Sequence, residues 1–95
     1  MSEIAPIVDV VDVRLLGRYV VELQFEDGQG RVIDLEPYLS GPMYRPLRED
    51  YGLFCAVSVD PGAGTIVWPN GADISPRTLY AESKPKVPAE RTAAR

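Results

Sequence analysis

The sequence predicts a small α+β domain, in which an antiparallel sheet of about five strands carries two short helices on one face. Apolar and polar residues alternate over residues 19–25, which is the period of a half-buried strand. The Asp-Gly step at 27–28 and the Asn-Gly step at 70–71 are typical of tight turns, because both readily adopt positive φ. The Ser-Pro step at 75–76 is typical of a helix start, with a serine N-cap and a proline in the first turn.

Each predicted element follows from such local signals. The strands are predicted over residues 7–16, 19–25, 31–34, 57–60 and 65–68, a helical turn over 35–39, and helices over 47–56 and 76–83. In the first strand Val11, Val13 and Leu15 alternate with charged residues. Val8 and Val10 have the opposite phase, so we expect a register shift or bulge near Val10 and Val11.

The middle of the chain predicts a loop, a helix and a hairpin. Residues 43–47 are expected to form a loop. The helix over 47–56 is predicted because four apolar residues fall at helical spacing: Leu47, Tyr51, Phe54 and Cys55. Pro-Gly-Ala-Gly at 61–64 then joins two strands as a tight turn. The last helix is expected to pack Leu79 and Tyr80 against the core.

The charge of the chain changes sign near its end. Residues 1–83 are predicted to form the single domain, and they hold thirteen acidic residues against six arginines, a net charge of −7. Residues 84–95 hold four basic residues against one acidic residue, a net charge of +3, and are predicted to be a disordered Pro/Ala tail that adds little stability. The acidic body should repel a phosphate backbone, so we expect a basic protein partner rather than nucleic acid.

The residue inventory excludes several kinds of site. The chain has one cysteine and no histidine. A disulfide framework, a cysteine zinc site, and catalysis by Ser-His-Asp or Cys-His are therefore excluded within one chain. Cys55 lies in an apolar run and is expected to be a buried, inert thiol. We expect no cofactor and no metal site.

The hydropathy of the sequence predicts a cytoplasmic protein. No apolar run approaches the roughly 18–20 residues that a membrane span needs. The first residues, Met-Ser-Glu-Ile, lack the basic and apolar regions of a signal peptide. We therefore expect no association with a membrane.

Several motifs together resemble a known family. They are FEDG at 25–28, DLEPYL at 34–39, GPMYRPLRED at 41–50, LFCAVSVDPGAGTIVWPNGADISP at 53–76 and TLYAES at 78–83. Over about residues 8–83 the chain resembles the bacterial domain-of-unknown-function 2442 family, and the Trp-Pro-Asn-Gly-Ala-Asp-Ile run with its flanks is specific. The resemblance implies a small α+β fold of the type first seen in the N-terminal domain of a Nitrosomonas protein. It supplies no catalytic residues.

The resemblance also bears on partners. Some relatives continue into a helix-turn-helix DNA-binding domain, and this chain ends too soon for one, so DNA binding by that route is not expected. Members of the family are often encoded beside another small uncharacterised protein, in an arrangement suggestive of a toxin and its antitoxin. The resemblance therefore implies a protein partner.

One candidate site is a ligand pocket at the turn over residues 68–73. Trp68 would offer a flat apolar face, Asn70 an amide, and Asp73 a charge close to Arg77. The favoured interpretation of the same residues is structural. In that interpretation Trp68 fills the core, the Asn-Gly step makes the turn, and Asp73 caps the helix or pairs with Arg77.

The second candidate site is a partner-binding loop over residues 40–48. It supplies Met43, Tyr44, Arg45 and Arg48, with two prolines that stiffen it. Tyrosine, methionine and arginine are enriched at protein interfaces. The alternative is that these side chains cover the sheet edge or the core.

The function predicted from these observations is a non-enzymatic protein-interaction module, the antitoxin-like member of a two-protein pair. The alternative is a small-molecule-binding or hydrolytic domain centred on the turn over residues 68–73. Nucleic-acid binding through the basic tail is a third, less favoured hypothesis. The oligomeric state stays open.

Overall fold

The computed structural model describes residues 8–86, which form an α+β fold, as predicted. The strands are β1 (Val10–Gly17), β2 (Val20–Phe25), β3 (Gly30–Asp34), β4 (Ser58–Asp60), β5 (Thr65–Val67) and β6 (Lys84–Pro85). The helices are a 3₁₀ turn (Glu36–Tyr38), α1 (Arg45–Glu49), α2 (Tyr51–Cys55) and α3 (Pro76–Glu82). Within residues 8–86, no helix has both the length and the apolar composition to cross a membrane.

The strands divide into two sheets, where the sequence predicted one. The larger sheet has the order β1-β2-β3-β6, and β4 pairs with β5 in a separate hairpin. All the pairings are antiparallel. The hairpin is tied to the larger sheet by the N–H of Val10, which donates to the carbonyl of Gly64 at 2.9 Å. The local signals identified β1 to β5 but not β6, and they contain no information about which strands become neighbours.

The predicted bulge in β1 is confirmed. The β1–β2 register shifts between Val10 and Asp12, and again between Leu15 and Gly17. The first shift reconciles the two phases of the sequence, because Val10 is buried while Val11 remains 52% exposed.

One face of β2 forms the centre of the core, as its alternation predicts. Val21, Leu23 and Phe25 are buried, and so is Tyr19, which precedes the strand with φ 63°. Tyr19 packs edge-on against Phe54 of α2, with ring centroids 5.2 Å apart. Phe25 packs edge-on against Tyr80 of α3, with centroids 4.9 Å apart. Both helices therefore pack into the same core cluster as β2.

The helix predicted over residues 47–56 is instead two short helices that meet at Asp50. Asp50 has extended backbone angles, with φ −126° and ψ 97°. Its carboxylate accepts a hydrogen bond from the N–H of Leu53 at 3.2 Å, as an N-cap does. The capping interaction competes with helix continuation, so α1 ends and α2 begins at this residue. Part of the predicted loop over 43–47 belongs to α1.

The last helix begins as predicted. The Ser75 side chain accepts a hydrogen bond from the N–H of Arg77 at 3.2 Å, which caps α3. At the other end, Arg31 of β3 donates to the Ser83 hydroxyl at 2.8 Å and to its carbonyl at 2.7 Å. The guanidinium also lies over the ring of Tyr80, 4.8 Å from its centroid. Arg31 therefore connects the end of α3 to the sheet.

The chain after Ser83 continues into the sheet for three residues. Lys84 pairs with Val32, Pro85 pairs with Arg31, and the N–H of Lys86 donates to the carbonyl of Gly30 at 2.9 Å. The start of the predicted tail therefore pairs with part of the edge of β3. Residues 87–95 lie outside the described residues, so the tail prediction for them stays a prediction.

We predict that β6 contributes measurable stability. A chain that ends at Ser83 should be less stable than one that ends at Lys86 by about 1–2 kcal/mol, because it loses ladder hydrogen bonds and an exposed ion pair. The free energies of unfolding of the two truncated chains, measured in urea, check this prediction. Equal midpoints would contradict it.

Candidate functional site

Trp68 is a core residue and presents no face to a ligand. Its side chain is 2% exposed, and its indole N–H donates to the carbonyl of Phe54 at 3.0 Å. The ring lies 5.9 Å from that of Phe54, at an angle of 34°. The Phe54 carbonyl lies in the last turn of α2 and also accepts the N–H of Val57 at 3.2 Å, so it binds two donors. Trp68 therefore anchors β5 to the end of α2, in agreement with the structural interpretation.

The turn after Trp68 closes through its own backbone and the Asn70 side chain. The N–H of Gly71 donates to the carbonyl of Trp68 at 2.9 Å. The carbonyl oxygen of the Asn70 side chain accepts from the N–H of Ala72 at 3.1 Å. Gly71 has φ +91°, as the Asn-Gly signal predicted. The turn is thus fixed by local hydrogen bonds.

The structure brings the two predicted sites together. The Asn70 amide donates to the carbonyl of Met43 at 3.1 Å, and the Tyr44 hydroxyl donates to the carbonyl of Asp73 at 2.6 Å. A Cβ placed on Gly71 would lie 3.5 Å from Cε of Met43. The turn and the loop over 40–48 therefore form one continuous surface. The Met43 surface, as we call it, comprises five exposed residues: Pro42, Met43, Pro69, Asn70 and Gly71.

Met43 is one of three large apolar side chains that are well exposed among residues 8–86, at 47% of its surface. Its backbone carbonyl is held by Asn70, and the next residue is held by Asp73. A methionine is therefore presented to solvent on a backbone with little freedom.

Two of the four charged residues predicted for the sites have ion-pair partners outside them. Arg45 pairs with Glu49 at 3.4 Å, and Arg48 pairs with Glu36 at 3.3 Å. The predicted interaction between Asp73 and Arg77 is not among the ion pairs of residues 8–86, where both side chains are exposed. Ser75, rather than Asp73, caps α3. The ligand-binding assignment to Trp68, Asn70, Asp73 and Arg77 stays a prediction that these contacts do not favour.

A further polar site, which the sequence did not reveal, lies on the outer face of the larger sheet. It is a shallow, open depression of about 200 Å³, lined by Asp12, Val13, Arg14, Glu22, Gln24 and Lys86. Glu22 pairs with Lys86 at 3.0 Å and with Arg14 at 3.1 Å. The hydrogen bond from Lys86, with help from Arg14, holds the pKa of Glu22 below its usual 4.5 against the opposing effect of burial. Its two acidic and two basic side chains balance, so the depression has no net charge to attract an ion.

The structure also bears on metal binding and on the exposure of Cys55. Within residues 8–86, no group of three or more acidic or cysteine side chains is placed to hold a metal ion. Cys55 is half-buried at the end of α2, so it is more accessible than its apolar run predicted.

We predict that Gly71→Val destabilises the fold by about 1–3 kcal/mol, because φ +91° strains any residue that has a Cβ. Gly17→Val is the control, since its φ lies outside the left-handed region and no atom lies within 4 Å of an added Cβ. Free energies of unfolding from urea titrations distinguish the two variants. A Gly71 variant as stable as the control would show that the turn does not require a positive φ.

The comparisons with known proteins agree with the motifs. No curated protein and no solved structure matches the chain. A family model described as "Protein of unknown function (DUF2442)" matches residues 10–85, which span β1 to β6. The chain therefore belongs to the DUF2442 family of proteins of unknown function.

Proposed function

We propose that the chain is a non-enzymatic protein-interaction module that binds its partner through the Met43 surface. The observation that carries the proposal is the exposure of Met43 on a backbone held by Asn70 on one side and by Asp73 on the other. Fixing the backbone before binding reduces the ordering cost of association.

The chemistry of the Met43 surface suits a protein partner. Methionine is unbranched and polarizable, so it adapts to irregular apolar pockets. The two adjoining prolines add apolar area with little conformational freedom to lose. The exposed ion pair of Arg45 and Glu49 lies on α1, which begins two residues after Met43. An apolar centre with a charged rim is the usual anatomy of a protein interface.

The charge of the chain favours a basic partner. Residues 1–83 carry a net charge of −7, which should accelerate association with a basic surface and slow association with nucleic acid. Such steering acts over a Debye length of about 8 Å at physiological ionic strength, so added salt should weaken it. The proposal places this interaction in the cytoplasm.

The proposal also includes the identity of the partner. The family resemblance supports an antitoxin-like role, in which the partner is the small protein encoded next to this one. The alternative, a ligand-binding or hydrolytic turn, has no comparable support, because the Trp68 ring is covered and both ends of the Asn70 amide are used internally.

We predict that Met43→Ala raises the dissociation rate of the co-purifying protein by about tenfold, because it removes the central apolar contact. Tyr44→Ala should have a similar effect, since Tyr44 holds the loop against Asp73. Glu49→Lys should mainly lower the association rate at low salt. Surface plasmon resonance at several salt concentrations separates the two rates.

The matched control is Leu16→Ala, which removes a side chain with the same 47% exposure from β1. If Leu16→Ala weakens binding and Met43→Ala does not, the Met43 surface is not the binding site. Asp50 is left unchanged throughout, because it caps α2.

A further inference from the structure

Among residues 8–86, β1 forms one edge of the larger sheet and pairs with no further strand there, although the β4–β5 hairpin lies close to its start. β1 is the first strand in the order β1-β2-β3-β6, while β6 covers part of the opposite edge. The β4–β5 hairpin is tied to β1 at Val10. Beyond that point, the residues from Val11 to Gly17 are exposed or half-buried. An open strand with apolar side chains is a template for pairing with another strand.

The ladder pattern shows which backbone groups face this edge. The N–H of Phe25 donates to the carbonyl of Gln29, so the odd-numbered residues of β2 direct their backbone groups toward β3. The even-numbered residues then face β1, where Glu22 lies opposite Arg14. Since backbone groups alternate sides along a strand, the N–H and carbonyl of Val13 point away from β2, toward the open edge.

The Asp12 side chain occupies this edge. Its carboxylate accepts the N–H of Val13 at 2.9 Å, in the position where a neighbouring strand would place a carbonyl. The side chains of Asp12 and Arg14 both lie on the outer face, on either side of Val13. Val13 and Leu15 lie on the core face and are half-buried.

We propose that a second copy of this chain pairs with this edge, β1 against β1 in antiparallel, with the two-fold axis at Val13. Charge complementarity selects this register. An axis at Val13 places Asp12 of each copy opposite Arg14 of the other, which forms two cross-strand ion pairs. An axis at Asp12 would oppose two aspartates, and an axis at Arg14 would oppose two arginines. Both alternatives place like charges face to face.

The same register extends the core face. It places Val11 of each copy beside Leu15 of the second copy, so that the exposed Val11 gains an apolar neighbour. The interface is self-complementary, as a two-fold dimer requires, and joins the two larger sheets into one. The register shifts on both sides limit the regular pairing to a few residues, so the dimer should be weak, with a dissociation constant in the micromolar range.

Reversal of one charge tests the register. We expect Asp12→Lys and Arg14→Glu, each alone, to raise the dimer dissociation constant about tenfold or more, because each turns two attractive pairs into repulsive ones. Sedimentation equilibrium of the full chain over a range of concentrations measures this constant. Circular dichroism confirms that each variant is folded.

Mixing the Asp12→Lys and Arg14→Glu variants is the decisive arm. In a mixed dimer the introduced lysine of one chain meets the introduced glutamate of the other, and the remaining Arg14 meets the remaining Asp12. A mixed dimer should therefore form although neither variant dimerises well by itself. A monomeric native chain at every concentration overturns the proposal and leaves the edge for a strand of another protein. Single variants that dimerise like the native chain, or a mixture that stays monomeric, also overturn it.

Disulfide cross-linking is a second readout that does not depend on charge. It tests the proposed register even if Arg14→Glu fails to fold. At the proposed axis the two Val13 Cα atoms would lie about 5.5 Å apart, within the range that a disulfide spans. In a Cys55→Ser background, Val13→Cys should form a disulfide-linked dimer under mild oxidation, while Gln24→Cys on β2 should not. Equal cross-linking of the two variants, or none with Val13→Cys, contradicts the register.

Discussion

The hydrogen bond from the Trp68 indole to the carbonyl of Phe54 is the constraint on which the rest of the domain depends. It joins the end of α2 to the end of β5, two elements that belong to different parts of the chain. A buried indole N–H without a partner would cost about 1–3 kcal/mol, so the ring can occupy the core only where that carbonyl is offered. The break at Asp50 contributes to this position, because it makes α2 a separate helix with its own N-cap.

The turn that follows transmits this constraint to the surface. The backbone carbonyl of Trp68 accepts the N–H of Gly71, and its backbone N–H donates to the carbonyl of Ala72, so the turn is closed directly on the anchored residue. Asn70 then holds Met43 from the outside. The position of an exposed methionine is in this way determined by a buried tryptophan. The domain is small and its core modest, yet the Met43 surface is defined because the turn over residues 68–73 is closed on the buried Trp68.

The sequence predicted the features that depend on neighbouring residues. The positive φ at Gly71, the N-cap at Ser75 and the bulge after Val10 each follow from a few adjacent side chains, because turns, caps and bulges are local conformations. Features that depend on distant pairs were missed. Lys86 was assigned to the tail, yet it bonds to Glu22, 64 residues away, and no local pattern records such a partner. The contact between the two candidate sites was missed for the same reason.

Hydrogen exchange of the loop over residues 40–48 in an Asn70→Ala variant tests the central claim, that the anchored turn holds Met43 in place. The N–H groups of Tyr44 and Arg45 both donate to the carbonyl of Gly41, so they report on the order of this loop. Loss of the Asn70 side-chain hydrogen bonds should accelerate their exchange about three- to tenfold, while the N–H groups of β2 and β3 keep their native rates. Unchanged exchange at Tyr44 and Arg45 in a folded variant would contradict the account.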